Sequence, residues 1–127
     1  MDYLEAFSGF SVGDLNLARK FYKENLGLDV RNNSMGFLEL HISGNRPVIV
    51  YPKSDHQPAS FTIYNFVVAD IEQTVGDLTR QGVTFEQYKG AIATDAQGIS
   101  RSKHGPAIAW FKDPSGNILS IIQSHTS

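Results

Sequence analysis

The sequence contains no cysteine among its 127 residues. This absence excludes disulfide frameworks, thiolate metal sites and cysteine nucleophiles. No run of apolar residues approaches the roughly 18 that a membrane helix needs, and the first residues lack the basic character of a secretory signal. We therefore expect no membrane partner and, by default, a cytoplasmic location.

An excess of charge of one sign is also missing. Eleven Lys and Arg residues stand against 13 Asp and Glu residues, and the net charge of −2 comes from intermixed signs without a basic stripe. A nucleic-acid binder needs such a stripe to neutralise phosphates, so nucleic acid is not an expected partner. Gly-rich phosphate loops and Gly-x-Ser-x-Gly elbows are absent as well. The length and the 41% of hydrophobic residues fit one globular domain, residues 1–127.

What the sequence does contain is a repeat. The letters GFSVGDLNLARKFYKENLGL match the letters NFVVADIEQTVGDLTRQGV at a constant offset of 56 positions. Before Asp14 and Asp70, apolar residues recur with a period of two, which predicts a strand. After them the period becomes three or four, which predicts an amphipathic helix. Each Asp is placed to cap its helix, and Gly27 and Gly82 are placed to end it.

Three short strands are predicted after each helix. The first copy continues with LDVRN, GFLELHI and RPVIVYP; the second continues with VTFEQ, PAIAWFK and NILSIIQ, the last two joined by the turn letters DPSGN. We therefore predict an α+β fold of two tandem βαβββ modules, approximately residues 4–54 and 60–124, that share one core. The alternative is that two strand-to-helix turns are alike by chance. The long segment 88–105 is predicted to be either a cover over a cavity, with a short strand in it, or an ordinary meandering hairpin.

The letters VGDLNLARKFYKENLGLDV and WFKDPSGNILSIIQ carry a resemblance to a known family. In them the chain resembles the vicinal oxygen chelate superfamily, which includes glyoxalase I, bleomycin-resistance proteins and extradiol dioxygenases, and the resemblance extends from Phe7 to Gln123. It implies strands that curl into one U-shaped, mostly antiparallel sheet around a ligand cavity, with the helices on the convex side. It also implies a homodimer and, in catalytic members, one divalent metal ion held by four His, Glu or Gln ligands.

The metal-ligand positions of that superfamily are occupied here by residues that do not bind metal ions. They fall on Phe7, Val50, Ile63 and Ser120, with a register error of one residue allowed around Val50. Phenyl and alkyl groups and a lone hydroxyl cannot replace the imidazole and carboxylate ligands of a divalent ion. We therefore expect no metal, no cofactor and no metal-dependent catalysis.

We predict instead that the chain binds a small, apolar or partly aromatic organic molecule in a metal-free cavity. Strand alternation places the candidate residues on the side of the lost ligands, whereas residues such as Phe10 and Tyr64 pack under the helices. Asn65 stands out, because a buried amide needs water or a ligand as a partner. Of Trp110 and Phe111, alternation turns only one toward the cavity. The candidate ligand-binding residues are Phe7, Gly9, Val50, Ile63, Asn65, Val67, Trp110 and Ser120.

Two other functions remain as alternatives. Glu39 and His41 project to one side of a strand, and they are either an exposed pair or half of a relocated metal site in a lyase, isomerase or dioxygenase of the glyoxalase type. The second alternative is a non-catalytic module for dimerisation or protein contact, which a large exposed apolar patch would favour. His56, His104 and His125 have no metal-binding spacing and are expected at the surface or in a loop.

Overall fold

The chain divides into two compact units, Met1–Pro58 and Ala59–Ser127. We describe them from a computed structural model, which describes residues 1–102 and 104–125. Three residues of the predicted loop and domain end lie outside the described residues: Lys103, Thr126 and Ser127.

The first unit has the predicted order of strand, helix and three strands. Its sheet has the order β1-β4-β3-β2, with β1 parallel to β4 and the other pairs antiparallel. The elements are β1 (Gly9–Val12), α1 (Leu15–Lys20) with a π-helical continuation (Phe21–Asn25), β2 (Asp29–Asn32), β3 (Leu38–His41) and β4 (Val48–Pro52).

The second unit repeats this architecture with the sheet order β5-β8-β7-β6, in which only β5 and β8 are parallel. The predicted α+β fold of two similar modules is thereby confirmed. In the described residues, no helix is long and apolar enough to cross a membrane. The elements are β5 (Thr62–Val68), α2 (Ile71–Arg80), a 3₁₀ turn (Gly90–Ile92), β6 (Ile99–Ser100), β7 (Ile108–Lys112) and β8 (Ile118–Gln123).

The predicted helix caps are present in both units. Asp14 Oδ1 accepts a hydrogen bond from the amide of Leu17 at 3.0 Å, and Asp70 Oδ1 accepts one from Gln73 at 3.1 Å. Each carboxylate satisfies an amide of the first turn that has no partner inside the helix. The sequence therefore encodes both strand-to-helix turns locally.

The first helix departs from a regular α-helix in its second half. The amide of Leu26 donates to the carbonyl of Phe21, five residues earlier, at 3.0 Å, which is the hydrogen bond of a π-helix. The wider turn places Tyr22 in the core, fully buried, with its ring centroid 5.9 Å from that of Phe10. The apolar spacing of this stretch predicted a helix but not the change of helix type.

One face of each sheet packs against the helix of its own unit, through contacts of α1 with β4 and of α2 with β8. Among the residues that alternation predicts under the helices, Phe10, Tyr64 and Phe66 are half-buried. The others are fully buried: Val12, Leu119 and Ile121. The opposite face of each sheet carries the residues in between along the strands, among them the predicted ligand contacts Asn65 and Val67 on β5. Each unit therefore has one covered and one open sheet face.

The prediction for the edge of the second sheet was partly wrong. The letters VTFEQ (residues 83–87) form no strand, and only Phe85 makes an isolated bridge, to Phe111. The edge strand is β6, which pairs with β7 through Ile99 and Ala109 and lies inside the predicted loop 88–105. The short strand expected as one alternative for that loop is thus confirmed. The edge beside β7 is formed by Phe85 and, after an insertion, by β6. In the sequence, this arrangement looks like one strand followed by a loop.

Candidate functional site

The open face of the second sheet carries a row of three side chains across three strands. Asn65 on β5 pairs with Ser120 on β8, and Ser120 pairs with Trp110 on β7. Directly paired residues point to the same face of a sheet. The three candidates predicted from strand parity are therefore neighbours.

A hydrogen bond links two members of this row. Ser120 Oγ donates to Asn65 Oδ1 at 2.5 Å, and the Ser120 side chain has no exposed surface. A buried hydroxyl needs such a partner. Asn65 itself is exposed, so the condition under which its amide would need water or a ligand as a partner, burial, is not met, and its oxygen already accepts from Ser120. The amide nitrogen of Asn65 is left on the open side, where a ligand could accept a hydrogen bond.

Trp110 and Phe111 divide between the two faces as strand alternation requires. Phe111 is fully buried, with its ring centroid 5.6 Å from that of Phe85. Trp110 is half-buried on the open face, where Tyr88 meets it edge-on at a centroid distance of 5.4 Å. Sequence reasoning missed Tyr88, because its position depends on how the segment between Phe85 and β6 folds back onto the sheet edge.

Two further candidates lie on β5. Val67 pairs with Ile122 on the open face and is 67% exposed, a large value for an apolar side chain in the middle of a unit. Ile63 is half-buried and lies at an irregularity of the strand, where the pairing with β8 shifts between Thr62 and Tyr64. Simple alternation, which predicted the side of Ile63, ends at this bulge.

On the first sheet, the open face contains two of the predicted residues. Gly9 pairs with Ile49 on β4, and a Cβ added to Gly9 would lie 3.6 Å from the Cβ of Ile49. Phe7 precedes β1, is exposed, and lines a small cavity of about 200 Å³ together with Ile49 and Glu39. Phe7 and Gly9 therefore lie on the same side of the first sheet as Ile49.

Val50 must be corrected as a candidate. It pairs with Phe10 and with Leu38 on the covered face, and its side chain has no exposed surface. The residue of β4 that shares the face of Gly9 is Ile49, one position earlier. Three consecutive apolar residues give no local signal for which of them faces which side, so the register could be fixed only by strand pairing.

Glu39 and His41 form a closed polar cluster with two residues of β2. His41 Nε2 lies 2.8 Å from Glu39 Oε1, and Arg31 donates to Asp29 at 2.8 Å. Strand pairing places Arg31 opposite Glu39 and Asp29 opposite His41. The hydrogen bonds from Arg31 hold the pKa of the exposed Asp29 carboxyl below its ordinary value and raise the pKa of Arg31. The side chains of Glu39 and His41, and those of Asp29 and Arg31, already have hydrogen-bond partners within this cluster.

The remaining histidines differ from the expectation at one position. His104 and His125 are exposed, as expected. His56, expected at the surface, is half-buried, and its Nδ1 lies 2.7 Å from Ser11 Oγ on β1. Its position after β4 therefore serves to fasten that segment to the first sheet.

The donor set does not fit the divalent ion that catalytic members of the resembled superfamily hold. In the second unit, the ligand positions that the resemblance implies fall on the alkyl group of Ile63 and the hydroxyl of Ser120, which already donates to Asn65. In the first unit they carry Phe7 and an aliphatic residue of β4, either Val50 or Ile49. Within residues 1–102 and 104–125, no three His, Cys, Asp or Glu side chains are grouped so that they could hold a metal ion. Carbon side chains and one engaged hydroxyl cannot compensate the lost hydration of such an ion.

Comparison with known families gives one match over nearly the whole chain. The model of the Glyoxalase/Bleomycin resistance protein/Dioxygenase superfamily matches residues 4–121. A comparison with curated proteins gives no significant match.

Solved structures similar to this chain have the same fold at low sequence identity. A member of the glyoxalase/bleomycin resistance protein/dioxygenase superfamily from Sphaerobacter thermophilus has a TM-score of 0.71 at 22% identity, with 98% of each chain covered. TnmS3, an antibiotic-binding protein from a Streptomyces species, has a TM-score of 0.67 at 21% identity, over 97% of this chain and 98% of the other. The fosfomycin resistance protein FosX from Listeria monocytogenes has a TM-score of 0.71 at 12% identity, over 98% and 95%.

Proposed function

Because the chain belongs to the glyoxalase/bleomycin resistance protein/dioxygenase superfamily, we propose that it binds a small organic molecule, apolar or partly aromatic, without a metal ion. The proposal is supported above all by the row of Asn65, Ser120 and Trp110 on the open face of the second sheet. This row combines a large aromatic surface with one oriented amide. A few placed polar groups within an apolar surface are typical of small-molecule sites.

The surroundings of the row fit an apolar ligand. Val67, two residues after Asn65, is exposed, and Ile108 and Ile122 pair with each other two residues away from Trp110 and Ser120, on the same face. We propose Val67 and Ile63 as apolar contacts of the ligand. Phe7 and Gly9, on the open face of the first sheet, remain predicted ligand contacts, whereas Val50 is withdrawn because it is buried on the covered face.

The similar structures suggest which ligands to try first. One of them is an antibiotic-binding protein and another is a fosfomycin resistance protein. The identity of this chain to each is low, so the similarity concerns the fold, and antibiotics are a first class of probe and not an assigned ligand.

Binding can be measured through the only tryptophan of the chain, Trp110. We expect an aromatic metabolite or antibiotic from a screening panel to change the fluorescence of Trp110 in a saturable way and to raise the unfolding temperature. A ligand at 100 times its dissociation constant adds about 2.7 kcal/mol to the free energy of unfolding. Chelator treatment should leave both effects unchanged.

A pair of variants tests whether the row carries the binding. Asn65→Ala removes a hydrogen bond worth about 0.5–1.5 kcal/mol, so the dissociation constant should rise about two- to tenfold. Asn45→Ala is the control, because Asn45 is exposed in the first unit and its side-chain amide donates to the nearby carbonyl of Ser43. If binding requires a stoichiometric metal ion in protein purified without chelators, a metal-dependent enzyme replaces our proposal.

We also propose that the protein is a homodimer, as the family resemblance implies. Exposed apolar side chains near the amino terminus support this proposal.

A further inference from the structure

The segment that follows Phe85 leaves the second sheet directly opposite Trp110. Phe85 bridges to Phe111, Ile99 pairs with Ala109, and the amide of Glu86 donates to the carbonyl of Trp110 at 2.8 Å. Only one position of β7, that of Trp110, lies between the two anchor points. Residues 87–98 leave the sheet edge after Glu86 and return to it at Ile99, and we call them the insert.

A single residue of the insert holds the main chain of Tyr88. Thr94 Oγ1 accepts a hydrogen bond from the Tyr88 amide at 2.9 Å, and the Thr94 amide donates to the Tyr88 carbonyl at 3.1 Å. The Thr94 hydroxyl also donates to Gln87 Oε1 at 3.1 Å. Because both polar groups of the Tyr88 backbone are engaged, the start of its side chain is fixed relative to the insert.

The far end of the insert is fixed to the core. Asp95 Oδ1 accepts hydrogen bonds from the amides of Gln97 and Ile99 at 2.9 and 3.0 Å, and these bonds close the turn before β6. Gly98 in this turn lies against the buried Phe85, because a Cβ added to Gly98 would be 2.7 Å from the Cβ of Phe85. The insert is therefore a braced structure that presents Tyr88 at a defined position.

Tyr88 and Trp110 together form a right-angled aromatic surface. Their centroids are 5.4 Å apart and their ring planes cross at 74°. We propose that this pair, which we call the aromatic corner, makes the face selective for flat aromatic ring systems that carry a carbonyl or amide group. A flat ring can stack on one ring of the corner and meet the other edge-on, and both arrangements are favourable. A saturated ring of the same size can do neither.

The position of Asn65 determines where the ligand must carry its hydrogen-bond acceptor. Asn65 lies two strands away from Trp110 in the same row, a separation of about 10 Å at the usual spacing of strands. A ring system larger than one benzene ring is needed to reach from the corner to the Asn65 amide. The inference rests on the proposed function and adds to it the chemical class of the ligand.

The test uses the full-length protein and three matched probes: naphthalene-2-carboxamide, its saturated analogue decahydronaphthalene-2-carboxamide, and naphthalene. The indole N–H signal of Trp110 is a single resonance, since the chain has one tryptophan, and its shift on titration gives each dissociation constant. We expect the aromatic amide to bind about three- to tenfold more tightly than the saturated amide, as aromatic pair energies imply.

Four variants test whether the preference for the aromatic amide depends on the aromatic corner or only on the apolar character of the face. Tyr88→Leu and Thr94→Val should each weaken binding of the aromatic amide about three- to tenfold and abolish the preference over the saturated amide. Tyr88→Phe keeps the ring, and Thr94→Ser keeps the hydroxyl, so both should retain the preference. Circular dichroism and the unfolding temperature check that each variant is folded.

Three outcomes would overturn the inference in distinguishable ways. Equal binding of the aromatic and saturated amides, still weakened by Asn65→Ala, would refute the corner and leave the proposed function standing. A preference for the aromatic amide that survives Tyr88→Leu would refute the role of Tyr88. If none of the three probes shifts the indole signal, this ligand class is wrong, and binding of any other panel compound would still support the proposed function.

Discussion

At the scale of single residues, Gly98 and Gly90 form a matched pair in the second unit. Both have a positive φ, +92° and +83°, but an added Cβ would be 2.7 Å from Phe85 at Gly98 and would meet nothing within 4 Å at Gly90. Alanine at either position is strained by about 1–2 kcal/mol. At Gly98 the clash with a core side chain adds about 1–3 kcal/mol.

We therefore expect Gly98→Ala to lower the free energy of unfolding by about 2–5 kcal/mol and Gly90→Ala by about 1–2 kcal/mol. Urea denaturation measures both values. Equal losses would mean that the insert moves away from Phe85 without cost and is not braced as described.

Tyr64 gives the protein a dependence on alkaline pH. Burial raises the pKa of its phenol above the ordinary value of 10.0, so the unfolded chain loses this proton at a lower pH than the folded chain. The contribution of the neutral phenol to stability is complete below about pH 10 and is lost as the pH rises through the raised pKa.

Tyr64→Phe removes this titration. We expect the stability of the wild-type protein to fall more between about pH 8 and about pH 11 than that of Tyr64→Phe. Tyr51→Phe, at an exposed tyrosine of β4, is the control and should follow the wild type. Parallel curves for the wild type and Tyr64→Phe would contradict the burial argument.

The residues of the candidate site were predictable to the extent that strand alternation defines a face. Asn65 and Ser120 share a face, as their parity predicted, whereas alternation alone did not decide between Trp110 and Phe111, and strand pairing puts Trp110 in this row. Val50 was misplaced by one position, since a run of apolar residues hides its register. Tyr88 could not be found, because its contact with Trp110 depends on the return of the insert to the sheet edge.

At the scale of secondary structure, the turn between β7 and β8 is held by one buried carboxylate. Asp113 Oδ1 accepts from the amides of Ser115 and Asn117 at 2.9 Å, and Asp113 Oδ2 accepts from Asn117 Nδ2 at 2.9 Å. Only 4% of Asp113 is exposed. The letters DPSGN, which signalled a turn in the sequence, thus describe a hydrogen-bonded hairpin that sets the register of Ser120 opposite Trp110.

Asp113→Ala should lower the free energy of unfolding by about 2–3 kcal/mol, because it leaves buried turn donors without an acceptor. Asp95→Ala is the matched comparison: Asp95 also accepts from two amides of a turn, but its side chain is exposed. We expect a loss of about 1 kcal/mol there, since water can replace the carboxylate. Thermal or urea denaturation of both variants decides; a larger effect at Asp95 would contradict the prediction.

Secondary structure was predicted well where local signals coincide and poorly where pairing decides. The strand-to-helix turns at Asp14 and Asp70 combine a change of period with a capping residue, and both are as predicted. The edge beside β7 was assigned to residues 83–87, although the structure forms it from an isolated bridge and the later strand β6. Both segments have apolar residues of strand-forming type, so only the partner strand distinguishes them.

At the scale of the whole molecule, two units that repeat one architecture still differ in what they expose. The amino-terminal segment before β1 carries Tyr3, Leu4 and Phe7, all large, apolar and exposed. Single exposed apolar residues are ordinary, but several in one short segment indicate an interaction surface. We expect Tyr3 and Leu4 of this segment to be covered by a second copy of the chain in the proposed homodimer.

Light scattering of the purified protein should therefore give twice the 14.0 kDa mass of one chain. The double variant Tyr3→Ser, Leu4→Ser removes apolar area that association would bury, at about 25 cal/mol per Å², and should shift the mass toward that of one chain on dilution. Met35→Ser is the control, because Met35 is exposed to the same 72% as Tyr3 but lies in the turn before β3. A wild-type mass of one chain at all concentrations would refute the dimer. A dimeric mass that the double variant does not change would place the interface elsewhere on the chain.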